Sequence, residues 1–218
     1  MRPVLVFLMV ASLAACSTLS SVDTPDDGLN RQARIAQLNA LQDWVLRGRI
    51  GIRTETDGVT ANLTWAQEDR QSDVRLAGAF GAGASRILQS PSGAALFLDG
   101  EKPLYGDDAE SLLYWETGLR IPLNGLSHWL IGLPRAGDES IYDDFGRLSK
   151  LSYLDPEGIL WKADFQEYTE VDGLQLPLRA VVLGGGFTLT LSVDDWRPGE
   201  LQLPAPAAPA RLSIPGRS

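Results

Sequence analysis

Cysteine occurs once in the 218 residues, at Cys16, and histidine once, at His128. One cysteine makes no internal disulfide, so the fold must hold without a covalent crosslink. One histidine and one cysteine are too few for an ordinary zinc site. His128 would have to serve any Ser-His-Asp arrangement, yet Gly125-Leu126-Ser127-His128-Trp129 lacks the glycine spacing of a nucleophile elbow. It reads as a helix-surface or hydrogen-bonded core residue. Gly78, Gly81 and Gly83 do not match G-x-G-x-x-G, and no Gly-Lys-Ser/Thr follows them, so a phosphate-cradling loop has no support. Asp144-Phe145-Gly146 imitates a kinase tripeptide without the accompanying loops, and reads as a hairpin turn. The acidic pairs Asp107-Asp108 and Asp194-Asp195 suit a helix start and a strand end. Glycoside chemistry would need one such pair set apart, and nothing sets one apart. The expectation is a protein that is not an enzyme and uses no cofactor or metal.

Basic charge is also short: 19 lysines and arginines stand against 28 acids, a net charge of −9. Such a chain is a poor partner for nucleic acid. Long apolar runs are missing too. The longest at the start, Val4 to Val10, is far below the roughly 20 residues of a spanning helix. With Arg2 before it and small residues after it, the segment 1–15 reads as a secretory signal. Leu13-Ala14-Ala15-Cys16 resembles the bacterial lipoprotein processing signal, which implies that Cys16 is acylated and begins the mature chain. Each buried methylene contributes about 0.8 kcal/mol, so several acyl chains make a lasting anchor. In lipoproteins of this type the residue after the cysteine directs sorting, and Ser17 favours the outer membrane over the inner.

Residues 16–28 read as a lipidated N-terminus and polar tether, without a core pattern. Ile35, Leu38 and Leu41 then recur at helical spacing after Asp26-Asp27, which predicts an amphipathic helix lying on a sheet. From Leu46 the period changes to two: Leu46, Ile50, Ile52; then Val59, Ala61, Leu63, Trp65; later Ile159, Trp161, Ala163, Phe165; and Phe187, Leu189, Leu191, Val193. Such alternation marks antiparallel strands with one wet and one dry face. Asp57-Gly58, Glu68-Asp69, Ser92-Gly93, Asp99-Gly100, Asp172-Gly173 and Gly184 to Gly186 supply the turns. Two short helices interrupt the strands. One opens at Asp107-Asp108 and ends at Gly118; the other follows Pro122 and is closed by Gly132 and Pro134. The prediction is mainly β, about eleven strands curled around their dry face as a whole or partial barrel. Alternation alone leaves open whether that barrel is packed solid or holds a cavity. The folded unit is set at 29–196, and the Pro/Ala-rich segment 197–218 is expected to be a mobile tail.

In VRLAGAFGAGASRIL, residues 74–88, one phenyl ring at Phe80 stands among glycine and alanine. The chain resembles the LolB family of outer-membrane lipoprotein receptors across roughly Trp44 to Trp196. The stretches that carry the likeness are Leu46-Arg47-Gly48-Arg49-Ile50, Asn62-Leu63-Thr64-Trp65, Gly78-Ala79-Phe80-Gly81, Ile121-Pro122-Leu123-Asn124, Trp129 through Pro134, Trp161-Lys162 and Asp194-Asp195-Trp196. The resemblance implies a half-open β-barrel with a helical lid over a hydrophobic cavity. It implies a LolA-type periplasmic carrier as partner, lipoprotein acyl chains as cargo, outer-membrane lipid as destination, and no nucleotide. It also implies a membrane-inserting loop at Gly78, Ala79, Phe80 and Gly81. There the family commonly has proline then leucine, where this chain has Ala79 and Phe80. Alternation and helix position nominate Leu63, Trp65, Leu76, Trp115, Trp129, Trp161 and Leu189 as cavity-lining residues. A one-site anchored acceptor needs no second copy, so a monomer is expected. Two other functions remain open at the level of sequence: a lipid-anchored carrier of a small apolar ligand, and a structural envelope lipoprotein with a filled core.

Overall fold

The computed structural model describes residues 28–78 and 83–200. Helix α1 (Leu29–Ala40) leads into β1 (Asp43–Arg53), β2 (Gly58–Glu68), β3 (Gln71–Gly78), β4 (Ala84–Ser90), β5 (Gly93–Leu98) and β6 (Leu104–Gly106). Helices α2 (Ala109–Thr117) and α3 (Leu123–Trp129) follow. The second run of strands is β7 (Glu139–Tyr142), β8 (Leu148–Leu154), β9 (Leu160–Val171), β10 (Leu174–Gly184) and β11 (Phe187–Pro198). All eleven join one antiparallel sheet in the order β6-β5-β4-β3-β2-β1-β11-β10-β9-β8-β7. Neighbours in space are neighbours in sequence except at β1 and β11, where the chain's two halves are zipped together from Trp44↔Pro198 to Arg53↔Thr188. Strands β6 and β7 form the two margins of the sheet, and α2 and α3 connect them.

Period-two side chains decide which face is dry. Leu46, Leu63, Trp65, Val74, Ile87, Leu96, Trp161, Phe165, Leu189 and Leu191 are buried on one face, together with Leu38 of α1, Leu113 of α2 and Leu126 and Trp129 of α3. Trp44 meets Trp65 and Trp196 with ring centroids 5.9 and 5.5 Å apart. Gly48 marks the single break in the β1–β11 register, and a Cβ there would lie 2.1 Å from the Ser192 carbonyl oxygen. Only glycine fits so close a backbone approach.

Both short helices form where capping residues foretell them. Asp108 accepts from the Ser111 amide at 2.8 Å at the start of α2, and Gly118 closes it at φ 72°. Past α3, the Gly132 amide donates to the Trp129 carbonyl and the Leu133 amide to the His128 carbonyl, with Gly132 at φ 79°. This is a Schellman closure, and it puts the end of the helical turn at the expected glycine. Asp144-Phe145-Gly146 is the β7–β8 turn, held by the Phe145 and Arg147 amides donating to Asp143 Oδ1. Strand β11 continues to Pro198, and the Gly199 amide donates to the Asp43 carbonyl, so ordered structure passes the expected boundary at 196. Among the described residues no helix is long and apolar enough to cross a membrane.

Candidate functional site: the open apolar end of the sheet

Antiparallel pairing gathers five connections at one end of the sheet: 54–57, 79–83, 99–103, 155–159 and 185–186. Gly78, the last residue of β3, sits there opposite Ala61, and Ala77 pairs with Ala84 on the return strand. Ala79, Phe80 and Gly81 lie outside the described residues, as does Cys16.

Burial on the dry face fades toward this end. Along β2, Trp65 and Leu63 are buried, Ala61 is half-buried and Val59 is 59% exposed, although all four share one face. Val59 pairs with Ile52, which pairs with Leu189; Leu76 pairs with Leu63 and Ser85; and Ser85 pairs with Leu98. Ile50, Ile52, Leu76 and Leu98 are partly buried and lean on the core. The result is an apolar concave mouth, backed by a packed interior. At the opposite end, a cleft of about 450 Å³ between α1, α3 and the sheet has a mixed lining that includes Asn39, Gln42, Gln67, Asp69 and Arg70. Acyl chains gain from contact with the first kind of surface and not the second, because burying unpaired polar groups costs free energy.

The nominated lining residues separate into three groups. Leu63, Trp65, Trp129, Trp161 and Leu189 lie in the packed interior. Three of these indoles donate to fixed acceptors: Trp65 to Gln67 Oε1 at 3.2 Å, Trp129 to Asp138 Oδ2 at 2.8 Å, and Trp161 to Asp155 Oδ2 at 2.9 Å. They form an anchored wall. Leu76 stands at the mouth, half-exposed. Trp115 does not line the interior: it is 82% exposed. Helix α2 buries Ala109 and Leu113, four residues apart, and Trp115 projects from the other side against Tyr114. Ile50, Ile52, Val59 and Leu98, which were not nominated, do reach the mouth; their strand parity was legible, but their place at a strand end was not.

His128 is on the surface of α3, with Nδ1 3.1 Å from the Asn124 carbonyl oxygen. Among the described residues no group of three or more His, Cys, Asp or Glu side chains could hold a metal ion. Glu110 accepts from the Asn124 amide at 2.8 Å, tying α2 to α3; burial raises its carboxyl pKa above the ordinary value despite that bond.

Residues 42–196 match the family model described as "Outer membrane lipoprotein LolB". The chain belongs to the LolB family. An outer-membrane lipoprotein LolB from Pseudomonas putida is 33% identical over 92% of this chain and 98% of its own. The counterparts from Ectopseudomonas mendocina and Pseudomonas fluorescens are 32% and 30% identical with the same coverage of this chain. In fold alone, a DUF1329 family protein from Desulfovibrio piger superposes with TM-score 0.51 at 11% identity, over 81% of this chain and 94% of its own. A LolA superfamily protein from Nitrosomonas europaea gives TM-score 0.49 at 13% identity, over 79% of this chain and 94% of its own. LolB-family membership makes this an outer-membrane lipoprotein of the sorting pathway, and the open eleven-stranded sheet with three helices is its framework.

Proposed function

We propose that this chain takes lipoproteins from a LolA-type periplasmic carrier and inserts them into the outer membrane. The acyl chains would be received at the apolar mouth formed by Ile50, Ile52, Val59, Leu76 and Leu98. The observation that carries the reading is this graded, concave apolar surface in a LolB-family chain, at the end of the sheet from which the 79–83 connection leaves. Segment 1–15 is removed, Cys16 carries the anchor, and 16–28 tethers the folded unit, which runs through β11 to Pro198 with the residues after Gly199 as a tail. The work is done on one chain, by binding alone.

The physical case is that acyl chains crossing water would expose many methylenes, at about 0.8 kcal/mol each. An apolar mouth receives them without that exposure, and transfer runs downhill when each successive site binds better. Release requires the mouth to meet the bilayer. Phe80 is proposed to enter it, since burying a phenyl yields about 1.5–3 kcal/mol. The direct test is transfer of a labelled lipoprotein from LolA to the purified acylated protein without ATP. Transfer is expected; a folded sample that accepts nothing would remove the reading. A small apolar molecule retained in native mass spectrometry would favour a carrier of free ligand instead. Phe80→Glu is expected to slow insertion into vesicles strongly, and a normal insertion rate would free Phe80 of the role.

A further inference from the structure

On the outward face of the sheet, Arg75 of β3 stands directly opposite Arg86 of β4. Like charges so placed destabilise a strand pair. Between them Asp73 is buried, its side chain 1% exposed. It accepts from Arg75 Nε and Nη2 at 3.2 and 2.7 Å, and from Arg86 Nε and Nη2 at 2.9 and 2.8 Å. One carboxylate thus fixes two guanidiniums and leaves the Nη1 donor of each for a further acceptor. An ion cluster that only relieved the repulsion would need nothing beside it. Here a groove of about 410 Å³ opens next to the guanidiniums, with Asn62, Thr64, Ala77, Ala84 and Phe97 of the outward face along it and Leu76, Ser85 and Leu98 of the dry face also reaching its lining. Guanidiniums at one position and a small-residue apolar floor at the next match the junction between a phosphate and an acyl glycerol.

We propose that Arg75, Asp73 and Arg86, with this groove, bind the phosphate of a membrane phospholipid on the convex face. Asp99 also lines the groove, so the four charged groups sum to neutrality. A free phosphate dianion therefore gains little long-range attraction. A phosphodiester gains charge-assisted hydrogen bonds together with apolar contact. The height also fits. Arg75 is three residues from the end of β3, about 10 Å at ~3.3 Å per residue. The headgroup layer extends roughly 5–8 Å beyond the hydrocarbon on each side. A sheet end set about one residue rise, ~3.3 Å, below the hydrocarbon boundary brings Arg75 to the outer part of that layer. This height argument rests on the reading above, in which that end of the sheet meets the bilayer.

Native mass spectrometry of the full acylated chain in detergent, titrated with dipalmitoyl phosphatidylethanolamine, tests the site. Dipalmitoylglycerol and inorganic phosphate serve as comparison probes. One phosphatidylethanolamine adduct is expected, weakened at least tenfold by Arg75→Gln and by Ala84→Trp. Val59→Glu, on the opposite face, is expected to leave that adduct in place. Arg75→Gln keeps Asp73 paired with Arg86, and Ala84 is exposed, so both variants are expected to fold; unchanged unfolding midpoints verify this. An adduct indifferent to both substitutions, or dipalmitoylglycerol bound equally well, overturns the proposal. Inorganic phosphate held as tightly as the lipid, and unaffected by Ala84→Trp, also overturns it. Lipoprotein transfer from LolA is measured on the same samples. A wild-type protein that binds the lipid but accepts no cargo would overturn the receptor reading and leave this site standing.

Discussion

Asp73 shows how one side chain converts a repulsive strand pair into a cohesive one. Burial alone would raise its carboxyl pKa, but hydrogen bonds from Arg86 and Arg75 outweigh it and hold the value below the ordinary 3.8. A folded pKa below the unfolded one means the stabilisation is complete above the unfolded value and is lost as pH falls through the folded one. Asp73→Asn is therefore expected to lower the urea midpoint at pH 7, with the gap to wild type closing only below about pH 4. Both arginines are partly exposed, which moderates the penalty of a broken buried pair to about 2–3 kcal/mol for Asp73→Ala. Urea unfolding at two pH values checks both statements. None of this cluster was legible in the sequence. Asp73 and Arg75 are two residues apart and so share a face, but the third member depends on a β3–β4 register that hairpin length alone does not fix.

At the scale of elements, the strands, their dry faces and most turns follow from period two and from Asp-Gly and Gly-rich breaks. The face of α2 does not. Leu112-Leu113-Tyr114-Trp115 is a run of four large apolar residues, and a run has no preferred side. Packing against β5 and β6 selects Leu113 and sets Leu112 within 3.1 Å of where a Gly106 Cβ would stand, leaving Trp115 outside. Equally hidden is the pairing of β1 with β11, strands more than a hundred residues apart. Its one readable trace is Gly48, where the close Ser192 backbone permits no side chain. Gly48→Ala is expected to lower stability by about 1–3 kcal/mol, the usual range for overpacking. Gly51→Ala, where a Cβ meets nothing nearer than 3.8 Å, serves as the control and is expected to stay within about 0.5 kcal/mol apart from its small β-propensity gain. Thermal or urea midpoints of the two variants decide it.

For the whole molecule, periodicity told which face is dry but not how burial varies along it. Val59 and Leu63 have the same parity and neighbouring positions, yet one is 59% exposed and the other buried. The difference comes from coverage: Leu63 belongs to the buried cluster that includes Leu38 of α1 and Leu126 and Trp129 of α3, while Val59, four residues nearer the strand end, lies outside it. An open sheet with two free margins thereby has a sealed interior and an apolar entrance. That division predicts where a charge will be tolerated. Val59→Glu places a carboxylate at the entrance, where water still reaches it, so the unfolding midpoint is expected to move little. A carboxylate forced against acyl chains must be desolvated or displaced, at a cost of several kcal/mol, and every 1.4 kcal/mol is tenfold in affinity. Acceptance of labelled lipoprotein from LolA is therefore expected to fall at least tenfold in Val59→Glu, while Val59→Leu keeps wild-type acceptance. Equal acceptance by Val59→Glu and wild type, with both folded, would move the acyl chains away from this mouth.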